Sequence, residues 1–293
     1  MQREITQEMA KDRLPRREAD ANKGSFGSVL AAAGSMAYRG AAALCTEGAL
    51  RAGAGLVYLA SVEPVVQMVL TRTPECCGCR TAANGGIHPQ DAGALRSWFD
   101  GKNTVLLAGP GLGESAAPVC NALLGKKAPW SAAVLDADAL NALAAGKIKG
   151  PLPDQTVITP HPGEAARLLD CTVGEVQADR EAATRRLAGM YHCIAVLKGR
   201  GTLIATPGGE VYHNPTGSAG LAKGGSGDIL AGLLSGLLAA GLKQGRTAED
   251  AAIAAVWLHG AAGDRCAKRL GMAAMLPHDI FADLGAIFAE LER

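Results

Sequence analysis

The sequence predicts an α/β fold in which a mostly parallel sheet is covered by helices on both faces. Three observations predict it. Short, almost wholly apolar runs such as Thr104-Val105-Leu106-Leu107-Ala108 recur along the chain, and strands buried on both faces read this way, whereas half-exposed strands alternate. Between these runs lie Ala- and Leu-rich stretches of helical length, which is the alternation that builds a layered α/β unit. The glycines, 38 in 293 residues, gather where the apolar runs end, and that suits loops through which a backbone approaches a ligand closely.

Residues 1–22 read as a charged helix followed by Leu14-Pro15-Arg16-Arg17, an N-terminal arm outside the core. Ser28 to Gly34 reads as a buried strand ending in a turn, Tyr38 to Ala52 as a helix stopped near Gly53, and Leu56 to Ala60 as the next strand. Thr104 to Ala108 follows, then the turn Gly109-Pro110-Gly111-Leu112-Gly113. Ala132 to Asp136, Thr156 to Thr159 and Ile194 to Lys198 repeat the style. Thr202 to Thr206 and Val211 to His213, around Pro207-Gly208-Gly209-Glu210, read as an antiparallel hairpin. Ile229 to Leu242 is an apolar helix, interrupted by Ser235 and glycines and too short to span a bilayer. No break in composition marks a linker and no internal repeat is visible, so one domain over residues 1–293 is expected.

Composition excludes several classes. Lys plus Arg is 29 against 28 for Asp plus Glu, and aromatics are 4%; neither a basic footprint nor a base-stacking platform for nucleic acid is present. The opening residues Met1-Gln2-Arg3-Glu4-Ile5 are polar with no apolar run behind them, so a cytoplasmic protein without membrane attachment is expected. Cys76, Cys77 and Cys79 cluster without a second Cys or His pair at zinc spacing, and His88 stands alone; free thiols are expected there. Cys45, Cys120, Cys171, Cys193 and Cys266 lie in apolar surroundings and are expected to pack as small hydrophobes.

The most informative stretch runs from His213 to Asp228, containing Lys223-Gly224-Gly225-Ser226-Gly227-Asp228 just ahead of the apolar helix. Glycines around Ser226 let successive N–H groups turn inward, and the helix behind adds the positive end of its dipole; together they form a cradle for a phosphate. The spacing is neither a Walker loop nor a dinucleotide fingerprint. Asp228 sits at the lip, where it holds a metal, accepts a proton from a nucleophile or caps the helix. The other polar motifs gather at strand C-terminal ends: Gly34, Gly109–Gly113, Asp136, Thr159–Glu164 and Lys198–Thr202. In open α/β sheets that edge binds ligands.

Taken in order, the blocks Lys23 to Gly27, Gly40-Ala41-Ala42, Leu50 to Val57, Leu135 to Leu140, Thr159-Pro160-His161-Pro162-Gly163-Glu164, Val196 to Thr202 and Gly224 to Asp228 resemble the ADP/ATP-dependent NAD(P)H-hydrate dehydratases of the ribokinase-like superfamily. The likeness runs from about Leu14 to about Leu284. It implies a ribokinase-like three-layer α/β/α fold, in a form lacking the epimerase domain fused to some relatives. It also implies repair of the S epimer of hydrated NADH or NADPH: ADP or ATP phosphorylates the C6 hydroxyl and phosphate then leaves. The resemblance assigns Asp228 as base, and Lys198, Gly199, Arg200, Gly201, Thr202, Gly225, Ser226 and Gly227 to the nucleotide; relatives usually carry Thr at the position of Ser226. It assigns Ala41, Gly111, Gly113, His161 and Asp228 to the hydrated dinucleotide, with Mg²⁺ as cofactor and a homotetramer as assembly.

Some roles stay open at this level. Glu164 orients a magnesium-bound water or caps the next helix. Asn214 and Thr216 shape the Gly-rich loop or hold such a water. Asp136 and Asp138 are helix caps or part of the site. The rival readings are a kinase of the same superfamily acting on hydroxymethylpyrimidine or hydroxyethylthiazole, and a non-catalytic nucleotide sensor. The cradle itself is testable: Gly225→Val and Gly227→Val should weaken ADP binding by about tenfold or more, because a branched side chain keeps phosphate from the backbone N–H groups. Wild-type affinity by titration calorimetry in both variants would mean that the anion binds elsewhere.

Overall fold

The computed structural model describes residues 2–79, 87, 89–99, 101–125 and 128–293; His88 lies outside the described residues. Ten strands among these form one sheet: β1 (Gln2–Glu4), β2 (Ser28–Ala32), β3 (Leu56–Ala60), β4 (Cys77–Gly78), β5 (Thr104–Ala108), β6 (Ala132–Leu135), β7 (Thr156–Ile158), β8 (Ile194–Leu197), β9 (Leu203–Ala205) and β10 (Val211–His213). Their spatial order is β1-β10-β9-β8-β7-β6-β5-β2-β3-β4. Neighbours are parallel except at β8/β9 and β9/β10, so the expected hairpin is present.

The helices are α1 (Gln7–Asp12), α2 (Arg39–Arg51), α3 (Glu63–Arg72), α4 (Pro89–Phe99), α5 (Ala116–Leu123), α6 (Asp138–Ala144), α7 (Pro162–Leu169), α8 (Val173–Ala178), α9 (Arg180–Tyr191), α10 (Ser226–Leu242), α11 (Ala248–Leu270) and α12 (Ile280–Leu291). Strand side chains divide between the faces with period two. Val105 and Leu107 join α2, α3, α10, α11 and α12 in one core, whereas Leu106 and Ala108 join α4 to α9 in the other. That double burial is why these strands carry almost no polar residue.

The N-terminal segment differs from expectation. It is not an arm outside the core: β1 pairs in parallel with β10, and Ile5 and Ala10 are buried in the larger core. The edge forms through backbone hydrogen bonds, which leave no trace in a Gln-Arg-Glu strand whose side chains are all exposed. The cysteines are free thiols, with Cys77, Cys79 and Cys171 half-buried and the others buried. Burial pushes the Cys76 and Cys79 thiols up to about 12, so both are un-ionised and weak nucleophiles at neutral pH. Among the described residues no helix is long and apolar enough to cross a membrane.

Two features of this frame place the site. From β2 the chain builds outward to β3 and β4, then returns to lay β5 on the other side of β2. The loops leaving β2 and β5 diverge at this switch point, and such a crevice is where open α/β sheets receive ligands. The second feature is the contact of α2 with α10. A Cβ on Gly232 would strike the backbone of Cys45, and one on Gly236 would strike that of Ala49; one on Gly48 would lie 3.0 Å from the Ile229 carbonyl. The Cys45–Gly232 and Ala49–Gly236 pairs share one offset, so the helices run parallel in register. Toward their N-termini a Cβ on Gly225 would meet Leu44, and the Asp228 charge bears on the Cys45 thiol, so the starts of the two helices lie side by side. Gly232→Val should therefore destabilise the fold by on the order of 1–3 kcal/mol and depress activity by parting these two starts. An unchanged urea midpoint would mean that α2 and α10 tolerate separation.

Candidate active site at the strand ends

The loop from Asn214 to Gly225 is fixed from the α11 side. Asn214 donates through Nδ2 to the Thr216 carbonyl (3.2 Å) and the Val256 carbonyl (3.1 Å), and Thr216 donates through Oγ1 to Asn214 (3.0 Å). The Gly217 N–H donates to Asp264 (2.9 Å), and Lys223 donates to the carbonyls of Ala273 and Met275. Asn214 and Thr216 thus shape the loop. Gly225 has φ +100°, a backbone conformation that favours glycine, and a Cβ there would lie 2.5 Å from the end of the Leu44 side chain. Behind it α10 starts at Ser226. His259 Nε2 lies 3.0 Å from the Ser226 carbonyl and 3.3 Å from its hydroxyl. A carbonyl only accepts, so Nε2 carries the proton. Burial pushes this imidazole down to about 4, which keeps it neutral at pH 7.

Asp228 stands in the first turn of α10. Burial lifts its carboxyl from 3.8 to about 6, Asp136 adds to the rise and Lys198 opposes it. Lys198 follows β8 and donates to Asp136 Oδ1 at 2.6 Å, with Glu164 Oε2 3.9 Å away. Burial would lower the ammonium, but Asp136 and Glu164 outweigh it and hold the pKa above its usual value. A Cβ on Gly227 would lie 3.3 Å from Lys198 Nζ, so the lysine reaches the glycine cradle. The turn Gly199-Arg200-Gly201-Thr202 closes with Thr202 Oγ1 donating to the Gly199 carbonyl (3.0 Å). Beneath it Arg180 donates to the carbonyls of Leu197, Lys198 and Gly201 at 3.2–3.4 Å.

The other group of predicted residues lines the switch-point loops. A Cβ on Gly111, at φ +65°, would lie 2.9 Å from the Ala41 Cβ and 2.8 Å from that of Tyr38, so the β5 loop rests on the start of α2. Gly113 donates its N–H to Asp138 Oδ2 at 2.8 Å. His161 is the N-cap of α7: Nδ1 accepts from the N–H groups of Gly163 (2.9 Å) and Glu164 (3.4 Å). Glu164 accepts in return from the His161 N–H at 2.8 Å, and its Oε1 lies 3.4 Å from His161 Nε2. Burial raises the Glu164 carboxyl, with Lys198 pulling the other way. His161, Glu164, Lys198 and the cradle of Asp228 therefore form one chain of contacts, on one edge of the sheet.

Asp136 and Asp138 do not cap α6, which has no side-chain cap. Asp136 accepts from Lys198 and from Thr159 Oγ1 (2.8 Å). Between the two acids Ala137 adopts φ +50°, ψ −116°, a region that costs a non-glycine residue on the order of 1–3 kcal/mol. The sequence leaves both acids open between cap and site because an acid between a strand and a helix has the local look of a cap. Sequence reasoning missed Arg180 and His259 altogether, since each lies on a helix far along the chain from the loop it holds.

The donor set does not fit a metal cage built by the protein. Among the described residues no group of three or more His, Cys, Asp or Glu side chains is arranged to hold an ion, and Glu164 is committed to His161 and faces Lys198. A cavity of about 1020 Å³, lined by Arg17, Arg51, Phe288 and others, lies between the N-terminal segment and the ends of α2 and α12; none of the residues above lines it.

Comparisons with known proteins place the chain among its relatives. Residues 29–285 match the profile of the NAD(P)H-hydrate dehydratase family. The bifunctional NAD(P)H-hydrate repair enzyme of Moorella thermoacetica is 40% identical over 304 residues, covering 99% of this chain and 54% of that protein. The chain spans about half the length of such bifunctional relatives. The ADP-dependent (S)-NAD(P)H-hydrate dehydratase of Neisseria meningitidis is 38% identical over 89% of this chain and 84% of its own. In structure, the ADP/ATP-dependent NAD(P)H-hydrate dehydratase of Bacillus subtilis, co-crystallised with ATP and Mg²⁺, superposes with TM-score 0.84 at 31% identity, covering 99% of this chain and 98% of that one.

The raised carboxyl of Asp228 makes a prediction about stability. A carboxyl lifted in the folded state favours folding at low pH, and that contribution is lost as pH rises through the folded value of about 6. Asp228→Asn, which stays neutral, should thus match wild type near pH 4 and exceed it by on the order of 2 kcal/mol near pH 8. Urea unfolding at the two pH values measures the gap; a constant difference would mean that Asp228 is not desolvated.

Proposed function

The chain belongs to the NAD(P)H-hydrate dehydratase family, and from that premise we propose that it restores hydrated NADH or NADPH, the S epimer, at the expense of ADP or ATP. The observation that supports the reading is the cluster of Lys198, Asp136, Asp138 and Asp228 at the glycine loop, to which Glu164 links His161 and Asp138 links Gly113. The Gly225–Gly227 cradle and Lys198 suit a polyphosphate; Ala41, Gly111, Gly113 and His161 suit a second ligand beside it.

The chemistry follows from leaving groups. Hydroxide leaves the nicotinamide ring poorly and phosphate leaves well. In this reading Asp228, ionised above about pH 6, takes the proton of the C6 hydroxyl as that oxygen attacks the terminal phosphorus, and AMP or ADP departs. The N–H groups of Gly225 and Gly227 with the Lys198 ammonium stabilise the charge on the phosphoryl group in flight, while the Ser226 N–H donates to the Lys223 carbonyl and holds the loop in shape. The C6–O bond then breaks with its electrons going to phosphate, the ring nitrogen lone pair assists, and a proton leaves C5 to restore the ring. A magnesium ion carried by the nucleotide would supply charge neutralisation on the phosphates without a protein cage, as suits an ion that keeps several waters. The reading includes a cytoplasmic homotetramer, which light scattering tests. The rival vitamin-precursor kinase shares the glycine loop and fold, but the family match weighs against it.

Incubating the protein with hydrated NADH and ADP, then with ATP, should return the absorbance of the reduced nicotinamide. Asp228→Asn should bind ADP yet lose on the order of 10²-fold or more in turnover. His161→Ala should raise KM for the hydrate several-fold while leaving ADP affinity nearly unchanged. No recovery of absorbance with either nucleotide, alongside phosphorylation of hydroxymethylpyrimidine or hydroxyethylthiazole, would replace this reading by the kinase.

A further inference from the structure

The passage from β6 to α6 takes two residues. Asp136 ends the strand's run, Ala137 reverses the chain, and Asp138 already belongs to the helix. Each acid reaches out of the corner to a different loop. Asp136, 2% exposed, accepts from Lys198 Nζ at 2.6 Å and from Thr159 Oγ1 at 2.8 Å. Asp138 accepts from the Gly113 N–H at 2.8 Å. The β5 loop is also pressed onto the corner from outside, because a Cβ on Gly109 would strike the Asp136 carbonyl and lie 2.8 Å from the Ala139 Cβ. Glycine would adopt the backbone of Ala137 freely, yet the chain carries alanine at φ +50°. Such strain persists only where the surroundings over-determine it, and it collects where a geometry is being held.

We propose that Asp136-Ala137-Asp138 is a positioning corner: through Asp136 it fixes Lys198, through Asp138 it fixes the Gly109–Gly113 loop, and so it sets the distance between the nucleotide and the second ligand. The assignment of those two ligands rests on the function proposed above; the fixing of the two loops does not. Neither acid takes part in bond making. Each acts through another group, Asp136 on an ammonium and Asp138 on a backbone N–H. Alanine at the hinge serves this better than glycine, because the methyl group narrows the conformations available to the corner.

Three variants test it, each melted in parallel so that loss of fold is seen as such. Ala137→Gly relieves strain, so its thermal midpoint should equal or exceed that of wild type. Its backbone amides at 109–115 should nevertheless exchange faster, and turnover should fall by about tenfold, the scale of a small misplacement of reacting groups. Asp138→Ala should raise KM for the hydrate about tenfold at unchanged ADP affinity, with Asp138→Asn, which keeps an acceptor oxygen, restoring most of the loss. Asp136→Ala should instead change ADP affinity and lower kcat, with little effect on exchange at 109–115. Amide exchange and ADP calorimetry do not depend on repair chemistry. A wild-type protein that binds ADP and repairs nothing would overturn the functional reading while those two readouts still judge the corner. Wild-type exchange at 109–115 in both Ala137→Gly and Asp138→Ala, or equal effects of Asp136→Ala and Asp138→Ala on both ligands, would overturn the corner.

Discussion

Everything at the strand ends depends on how closely α2 lies against α10. Gly48, Gly232 and Gly236 remove the side chains that would hold two helices at ordinary separation, and backbone then meets backbone over two turns. Because the helices run parallel, what is fixed in their middle is fixed at their starts. Gly40-Ala41 follows β2, and Gly225 to Asp228 follows a loop about 185 residues later in the chain. The contact converts that distance in sequence into adjacency in space. Apolar volume in the core would stabilise the layers equally well with larger residues; it would not bring these two helix starts together.

The charges at the site are unbalanced. Asp136, Glu164 and Asp228 bear on one ammonium, Lys198, and Asp138 adds its charge beside Asp228. Burying carboxylates without matching cations is costly, and the cost shows as the upward pull on Glu164 and Asp228. Attraction for a polyphosphate therefore cannot come from net charge. In the proposed reading it comes from oriented N–H groups of the glycine loop, from the start of α10 and from the cations that accompany the nucleotide. Burial, with Asp136 adding to it, gives Asp228 its basicity: a carboxylate at ease in water takes a proton less readily than one held near 6.

The sheet was legible in the sequence because burial on both faces strips strands of polar residues, and β2, β3 and β5 to β8 all begin and end within two residues of the positions their apolar runs indicate. β1 was not, because an edge strand of Gln-Arg-Glu is held by its backbone alone. The Gly-rich loop, Lys198 and the His161–Glu164 pair stand out because residues of special chemistry are packed into a few positions. Asp136 and Asp138 were visible but ambiguous, since what separates a cap from a tether is the partner, and Lys198 and Gly113 are remote in sequence. Arg180 and His259 carry no local mark; their partners are the carbonyls of other segments, which any residue supplies.

β1 has a consequence for how the molecule meets others of its kind. It adds to β10 through its backbone and turns Gln2, Arg3 and Glu4 to water, with Arg3 3.5 Å from Glu210. An outermost strand of three residues bearing both signs of charge is a poor template for another chain. It acts as a selvedge, finishing the fabric on the side where the hairpin feeds the glycine loop. Stripped of it, Val211-Tyr212-His213 would present an unhemmed apolar edge, and colloidal stability would suffer before catalysis did.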